Sequence, residues 1–190
     1  MAEHSPLRPA VFLDRDGTIV EDVDYLTRPE QLRLIPGAAA AIRTLNARAV
    51  PVVVVTNQSA VARGLLSEDE LAAVHGELRA RLAAEGARLD AIYYCPHHPE
   101  GSGAYRRDCD CRKPMPGMLR QAARDLGLDL AASAMVGDSV RDLEAGAAAG
   151  CRTLILVRTG HGADEEKHLN KSAMQAAVAP DLSAALDYLP

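Results

Sequence analysis

The sequence predicts an α/β fold built on a doubly wound, mostly parallel, Rossmann-like sheet. Short β-like runs recur at Ala10–Leu13, Val52–Thr56, Ala91–Tyr94, Ala134–Val136 and Thr153–Val157, with helical patterns between them, the alternation expected of βαβ units. The runs are apolar on consecutive residues, as strands covered by helices on both faces require. Polar clusters follow the runs at Asp14–Thr18, Thr56–Ser59, Cys95–Lys113 and Gly137–Asp142. In such a fold, right-handed crossovers bring these segments to one sheet edge, where ligands bind.

The helices follow from capping and periodicity. The first runs from near Gly37 to before Val50, rich in Ala, with Ile42 and Leu45 on one side. The second opens on a capping box, Ser67 with Glu70, and repeats Leu71, Val74, Leu78 and Leu82 on one face. A third is expected from Pro116 through Leu119, Ala122, Ala123 and Leu126, stopping at Gly127. The fourth covers Val140 to Ala149 and closes at Gly150. His161–Ser172 is polar and without period, and is expected to be a loop before a short final strand and a helix ending near Tyr188. No internal repeat is present.

A chain of 190 residues fits one domain, 1–190. With 48% hydrophobic and 25% charged residues the composition is that of a folded globular protein, and 3% aromatics leave the core to aliphatic residues and Ala. A net charge of -5 argues against a nucleic-acid partner, which needs a basic face. Met1–Pro9 has no apolar core of leader length, and the longest apolar run, Val50–Val55, is too short to span a bilayer. The expectation is a cytoplasmic monomer with no membrane contact.

The chemistry begins at Val11-Phe12-Leu13-Asp14-Arg15-Asp16-Gly17-Thr18, where two carboxylates close a buried strand. A tight turn at Asp16-Gly17 accounts for the glycine but not for Asp14. A carboxylate can attack a phosphoryl group to give a mixed anhydride that water then opens, and Asp14 is the candidate nucleophile. A second carboxyl beside it, Asp16, can serve as acid and then base. Two anions facing a phosphate require a divalent cation, and oxygen ligands favour Mg²⁺. Asp138, in Val136-Gly137-Asp138-Ser139, supplies a third carboxylate unless it only caps a helix; both readings hold for Asp142 too, whose least role is to brace the site. Thr56 and Asn57 end a strand in groups able to hold phosphoryl oxygens, and Lys113 lies just before a helix, a cation able to neutralise both phosphate and Asp14.

Cys95-Pro96-His97-His98-Pro99 and Cys109-Asp110-Cys111 together offer three thiols and an imidazole, a set suited to tetrahedral Zn²⁺. Four protein ligands leave no open position, so the metal is structural and staples the loop at 95–111, whose segment Glu100–Arg107 has little to pack. Spacing does not choose between His97 and His98. Cys151, set apart, reads as a small buried core residue.

These segments, in this order, resemble the haloacid dehalogenase superfamily of phosphohydrolases over about Val11 to Gly160. The paired aspartates, the Thr56-Asn57 strand end, Lys113 and Gly137-Asp138 match its four motifs, and Asp16 implies a phosphatase or phosphotransferase. The resemblance implies Mg²⁺ on the Asp14 side chain, the Asp16 backbone carbonyl and the Asp138 side chain. Within the superfamily, Val53–Gly64, Ile92–Pro99 and Cys109–Met118 are similar to the heptose 1,7-bisphosphate 7-phosphatases. That likeness implies a small sugar-phosphate substrate on the route to nucleotide-activated heptose. It favours His97 as the zinc ligand, and places Arg63, Arg112 and Lys113 near the substrate. Ala60 departs from the family, which usually has Gly there. The segments between motifs are too short for a separate cap domain, so local loops must cover the site. The rivals are a histidinol-phosphate phosphatase and, in another class, a catalytically silent zinc-stapled binding module; intact Asp14, Asp16, Lys113 and Asp138 speak against the latter.

Overall fold

In a computed structural model, residues 6–189 are described; the first five residues of the stretch read above for a leader lie outside them, as does residue 190. Among the described residues the order is β1 (Val11–Leu13), α1 (Ala38–Ala47), β2 (Val52–Asn57), α2 (Ser59–Ala62), α3 (Glu68–Ala84), β3 (Ala91–Cys95), α4 (Gly117–Leu126), β4 (Ala134–Gly137), α5 (Val140–Ala149), β5 (Thr153–Val157), α6 (Gly162–Leu169), β6 (Ala177–Ala179) and α7 (Leu182–Ala185). The strands form one six-stranded sheet in the order β3-β2-β1-β4-β5-β6. Every pairing is parallel, so all C-terminal ends meet one edge. β1 is central, and the chain winds outward from it first toward β2 and β3, then toward β4, β5 and β6. The crevice of such a sheet opens at that reversal, between the ends of β1 and β4.

Consecutive apolar residues serve two cores. Val11, Leu13, Val52 and Val54 pack with Ile42, Leu45, Val74 and Leu78 of α1 and α3 on one face. Phe12, Val53, Val55 and Met135 meet Leu119, Ala122 and Leu143 of α4 and α5 on the other. Side chains alternate faces along a strand, so a strand buried on both sides shows no alternation in its sequence.

The Ser67 capping box forms: Glu70 N–H donates to Ser67 Oγ at 3.2 Å and Glu70 Oε2 accepts from Ser67 N–H at 2.7 Å. α4 opens one residue after Pro116 and ends on Gly127. Ala60 lies within α2, where its methyl packs with Val61, Leu66 and Leu71. One expectation is corrected: residues 162–169 are the helix α6, not loop. Only Gly162 and Leu169 of it are buried, so no apolar stripe announces it. Asp164 and Glu165 in its first turn and Lys167 and His168 in its last complement the helix dipole instead. Glu165 accepts from Val140 N–H at 2.8 Å and so holds the start of α5.

Candidate active site

The ends of β1, β2 and β4 and the residues just before α4 converge on a cavity of about 180 Å³ lined by Asp14, Asp16, Thr56, Asn57, Lys113 and Asp138, among others. Lys113 is its centre. The residue is 2% exposed, and its Nζ lies 2.8 Å from Asp14 Oδ1 and 2.8 Å from Asp142 Oδ1, while donating to the Val55 carbonyl at 2.8 Å. Burial works to strip the Lys113 proton, but the charges of Asp14 and Asp142 outweigh it and hold the pKa above the ordinary lysine value. Asn57 fixes the same residue through its backbone: Nδ2 donates to the Lys113 carbonyl at 3.1 Å and Oδ1 accepts the Lys113 N–H at 3.0 Å. Both atoms of that amide are therefore engaged in positioning the lysine.

The helix cap in question is Ser139, not Asp138: Ser139 N–H donates to Asp142 Oδ2 at 3.1 Å. Asp138 stands one residue earlier, at the end of β4, accepting the His161 N–H at 2.8 Å through Oδ2. Its carboxylate fills a cradle between two glycines. Gly17 and Gly160 have φ of +74° and +57°, and a Cβ on either would strike Asp138 Oδ2. Asp14, Asp138 and Asp142 each present an oxygen within 4.8 Å of the others. Burial, then the charges of Asp14 and Asp142, push the Asp138 carboxyl up to about 8. Burial likewise lifts Asp142 to about 6, against the pull of Lys113. Three crowded carboxylates, two of them buried, need more positive charge than one lysine brings, and their hard oxygens fit Mg²⁺. Asp142 thus has a defined partner in Lys113, beyond the brace expected of it.

Asp16 lines the same cavity but lies outside that cluster of three carboxylates. Its two carboxylate oxygens meet Arg15 Nε at 3.0 Å and Nη2 at 2.9 Å, and Gln58 Nε2 donates to Oδ2 at 3.0 Å. Thr56 Oγ1 accepts from the same Gln58 amide at 2.8 Å. Arg15 and Gln58 had no role in the sequence reading. Arg15 at least stood between the two aspartates, whereas Gln58 gave no signal beyond its place in a polar run.

Three thiols and one imidazole gather at the end of β3. Cys111 Sγ lies 3.0 Å from Cys95 Sγ, 3.2 Å from Cys109 Sγ and 3.3 Å from His97 Nδ1. Zinc–sulfur bonds of about 2.3 Å at tetrahedral angles need sulfurs roughly 3.8 Å apart, so a small relaxation seats the ion. Burial and the neighbouring thiols hold Cys111 above the ordinary thiol value, and a cation is what would release its proton. His98 lies outside the set, its Nδ1 accepting the Glu100 N–H at 3.1 Å. Arg112, half-buried, donates to the His97 carbonyl at 3.2 Å and lines the cavity, so the cysteine loop delivers Arg112 and Lys113 together. Arg63 is not among the cavity's lining residues; it lies 3.6 Å from Glu100, close enough for its charge to be felt at Arg112. Beside the site a second cavity of about 530 Å³ shares Asp22, Asp24 and His161 with the first, and His161 Nε2 is 3.1 Å from Asp22 Oδ2.

Residues 110–185 match a family model described as HAD-hydrolase-like. The chain is 46% identical over 160 residues to the D-glycero-beta-D-manno-heptose-1,7-bisphosphate 7-phosphatase of Pasteurella multocida (strain Pm70), covering 84% of this chain and 87% of that one. The chain belongs to the heptose-1,7-bisphosphate 7-phosphatase family. The family relative from Rhodopseudomonas palustris is 48% identical over 151 residues, covering 79% of this chain and 84% of its own. A solved family structure, the D,D-heptose 1,7-bisphosphate phosphatase from B. bronchiseptica complexed with magnesium and phosphate, superposes with a TM-score of 0.84 at 39% identity, over 95% of this chain and 97% of that one. The fold expectation, a doubly wound parallel sheet of haloacid dehalogenase type, is met, as is membership of the hydrolases.

Proposed function

We propose that this chain is the phosphatase that removes the 7-phosphate of D-glycero-β-D-manno-heptose 1,7-bisphosphate, through an aspartyl-phosphate on Asp14. The observation that carries the mechanism is the convergence of Asp14, Lys113, Asp138 and Asp142 at one strand edge, with Lys113 Nζ 2.8 Å from two of the three carboxylates. The substrate follows from the relatives, whose names share that one activity.

In the first step an Asp14 oxygen attacks phosphorus while the bond to the sugar O7 breaks; the bonding pair leaves with O7, which takes a proton from Asp16. In the second, Asp16 takes a proton from water, the water oxygen attacks phosphorus, and the Asp14–phosphorus link opens to release phosphate. Lys113 holds Asp14 in line and faces the charge that builds on the phosphoryl oxygens. Thr56 and Asn57 border the phosphoryl pocket. Arg112 meets the second phosphate, with the charge of Arg63 felt from outside the cavity lining, which explains cations at the mouth of an acidic chain's site. Asp14, the Asp16 carbonyl and Asp138 would hold Mg²⁺, which when bound neutralises the phosphoryl oxygens. Cys95, His97, Cys109 and Cys111 would hold a structural Zn²⁺ that shapes the loop at 95–111 within a single domain of 1–190.

No helix among the described residues is long and apolar enough to cross a membrane. A cytoplasmic monomer feeding ADP- or GDP-heptose synthesis for surface polysaccharide fits this reading. Histidinol phosphate and a silent binding module are not favoured by the relatives. Phosphate release from the α and β anomers of heptose 1,7-bisphosphate and from histidinol phosphate, measured side by side, tests the substrate. The β bisphosphate is expected to lead, and a large preference for histidinol phosphate would overturn the assignment.

A further inference from the structure

A histidine on α3 has no place in the chemistry above, yet it is buried at 8% exposure and turned toward the site. His75 falls on the same helix face as Leu71, Val74, Leu78 and Leu82, where a packing residue would serve the core as well. Its Nε2 lies 3.2 Å from Arg15 Nη1. Arg15 is 1% exposed, and its contacts divide cleanly: Nε and Nη2 grip the two oxygens of Asp16, Nη2 also donates to Gln58 Oε1 at 2.9 Å, and Nη1 meets His75. A guanidinium is planar and permanently charged, so partners on all three nitrogens fix both its position and the plane of its fork.

Resting on the reading of Asp16 as the proton carrier, we propose that His75 is a positioning residue for the reaction: by accepting from Arg15 it fixes the fork that aims the Asp16 carboxyl. Asp16 changes charge twice in each turnover, and a buried cation tied to it alone would shift each time the pair weakened. His75 and Gln58 are neutral acceptors whose hold on Arg15 does not change as Asp16 gains and loses its proton. Carboxyl and fork therefore return to one geometry for both steps. Arg15 can only donate, so His75 must be unprotonated at Nε2 and carry its proton on Nδ1. Burial, then the charges of Arg15 and Arg79, keep it so by lowering its pKa to about 3. Removal of the imidazole leaves a charged N–H of Arg15 buried without its acceptor, which favours rotation of the whole group.

The test uses the leaving group. A sugar alkoxide needs a proton to depart, whereas p-nitrophenolate does not, and kcat/KM reports events up to the first phosphoryl transfer. Heptose 1,7-bisphosphate and p-nitrophenyl phosphate are compared for the native enzyme, Asp16→Asn, His75→Leu, His75→Gln and Arg15→Lys, each checked for folding by thermal melting. Asp16→Asn sets the signature of a lost acid, a kcat/KM that falls far more on the sugar phosphate than on the aryl phosphate. His75→Leu is expected to repeat that signature with a roughly 10- to 100-fold loss on the sugar phosphate only, the range for a misplaced catalytic group. His75→Gln, whose Oε1 reaches the same place as an acceptor, is expected to restore most of the loss. Equal loss on both substrates, no loss, or failure of the Gln variant to recover would overturn the proposal. Should His75→Leu not fold, Arg15→Lys decides: selective loss supports the chain of contacts and equal loss refutes it. An Asp16→Asn enzyme without selectivity would instead remove the premise, and the proposal with it.

Discussion

Replacement of Lys113 by Met tests the electrostatic centre of the site. The side chain keeps its length and loses its charge, leaving part-buried Asp14 and buried Asp142 without the cation between them. At an effective dielectric near 20, each 2.8 Å contact amounts to about 6 kcal/mol of Coulomb attraction. Most of that repays the cost of burying the charges, and breaking a buried pair from one side leaves a net penalty of about 3–5 kcal/mol. For a chain of this size, roughly 2–4 °C per kcal/mol translates that penalty into a melting point lower by about 6–20 °C. The penalty depends on pH in a definite direction. Without the lysine, the Asp142 carboxyl, already raised by burial, goes further above its unfolded value. The lost stability therefore returns as pH falls and that group takes up its proton, and deepens as pH rises. Melting curves in magnesium-free buffer at pH 5 and pH 8 measure this, with phosphate release expected to drop by about 10²- to 10³-fold in parallel. A melting point within about 2 °C of the native protein at pH 8, or a penalty that does not shrink at pH 5, would refute the reasoning.

Magnesium should stabilise the native protein more at pH 8 than at pH 6. Asp138 and Asp142, raised to about 8 and about 6, carry protons in the metal-free fold that the unfolded chain has already lost, so metal-free stability declines over that window while the cation gains Asp138 as a ligand. Differential scanning fluorimetry checks this, and equal shifts at the two pH values would contradict it. Gly160→Ala should cost about 1–3 kcal/mol in chemical denaturation and abolish the magnesium-induced shift, because the new methyl meets both a left-handed backbone and the Asp138 carboxylate. Chelation of zinc, or Cys109→Ser, should raise KM and lower kcat together, since the loop that carries the cysteines also sets Arg112 and Lys113; metal analysis of the purified chain should find zinc retained through dialysis.

Much of the fold was legible because the sheet is buried on both sides. Runs such as Val52–Val55, short and wholly β-branched, fit a strand covered on both faces, and the Ser67 box with its apolar face marks α3 without tertiary help. The helix α6 was not legible, because it buries only its two ends and its order comes from contacts such as Glu165 with the start of α5. At the site, residues that sit together in sequence were readable: Asp14 with Asp16, Cys109 with Cys111, Gly137 with Asp138. Pairings across elements were legible where charge or ligand type announced them, as for Lys113 with Asp14 and Cys95 with Cys109 and Cys111, and not elsewhere. Asn57 looked like a phosphate ligand, and only its distance from Lys113 reveals that both atoms of its amide grip the lysine backbone. His75 lies 60 residues from Arg15, within an apolar stripe where a histidine gives no sign of its partner.

The central claim is a covalent bond between Asp14 and phosphorus. Asp16→Asn, mixed rapidly with p-nitrophenyl phosphate, should form the acyl phosphate and then stall, because the leaving group needs no acid while the attacking water lacks its base. Borohydride reduction of the quenched protein should then convert position 14 to homoserine, detected by peptide mass spectrometry, alongside a stoichiometric burst of nitrophenolate. No burst with an unreduced Asp14, or reduction at a different carboxylate, would contradict the account.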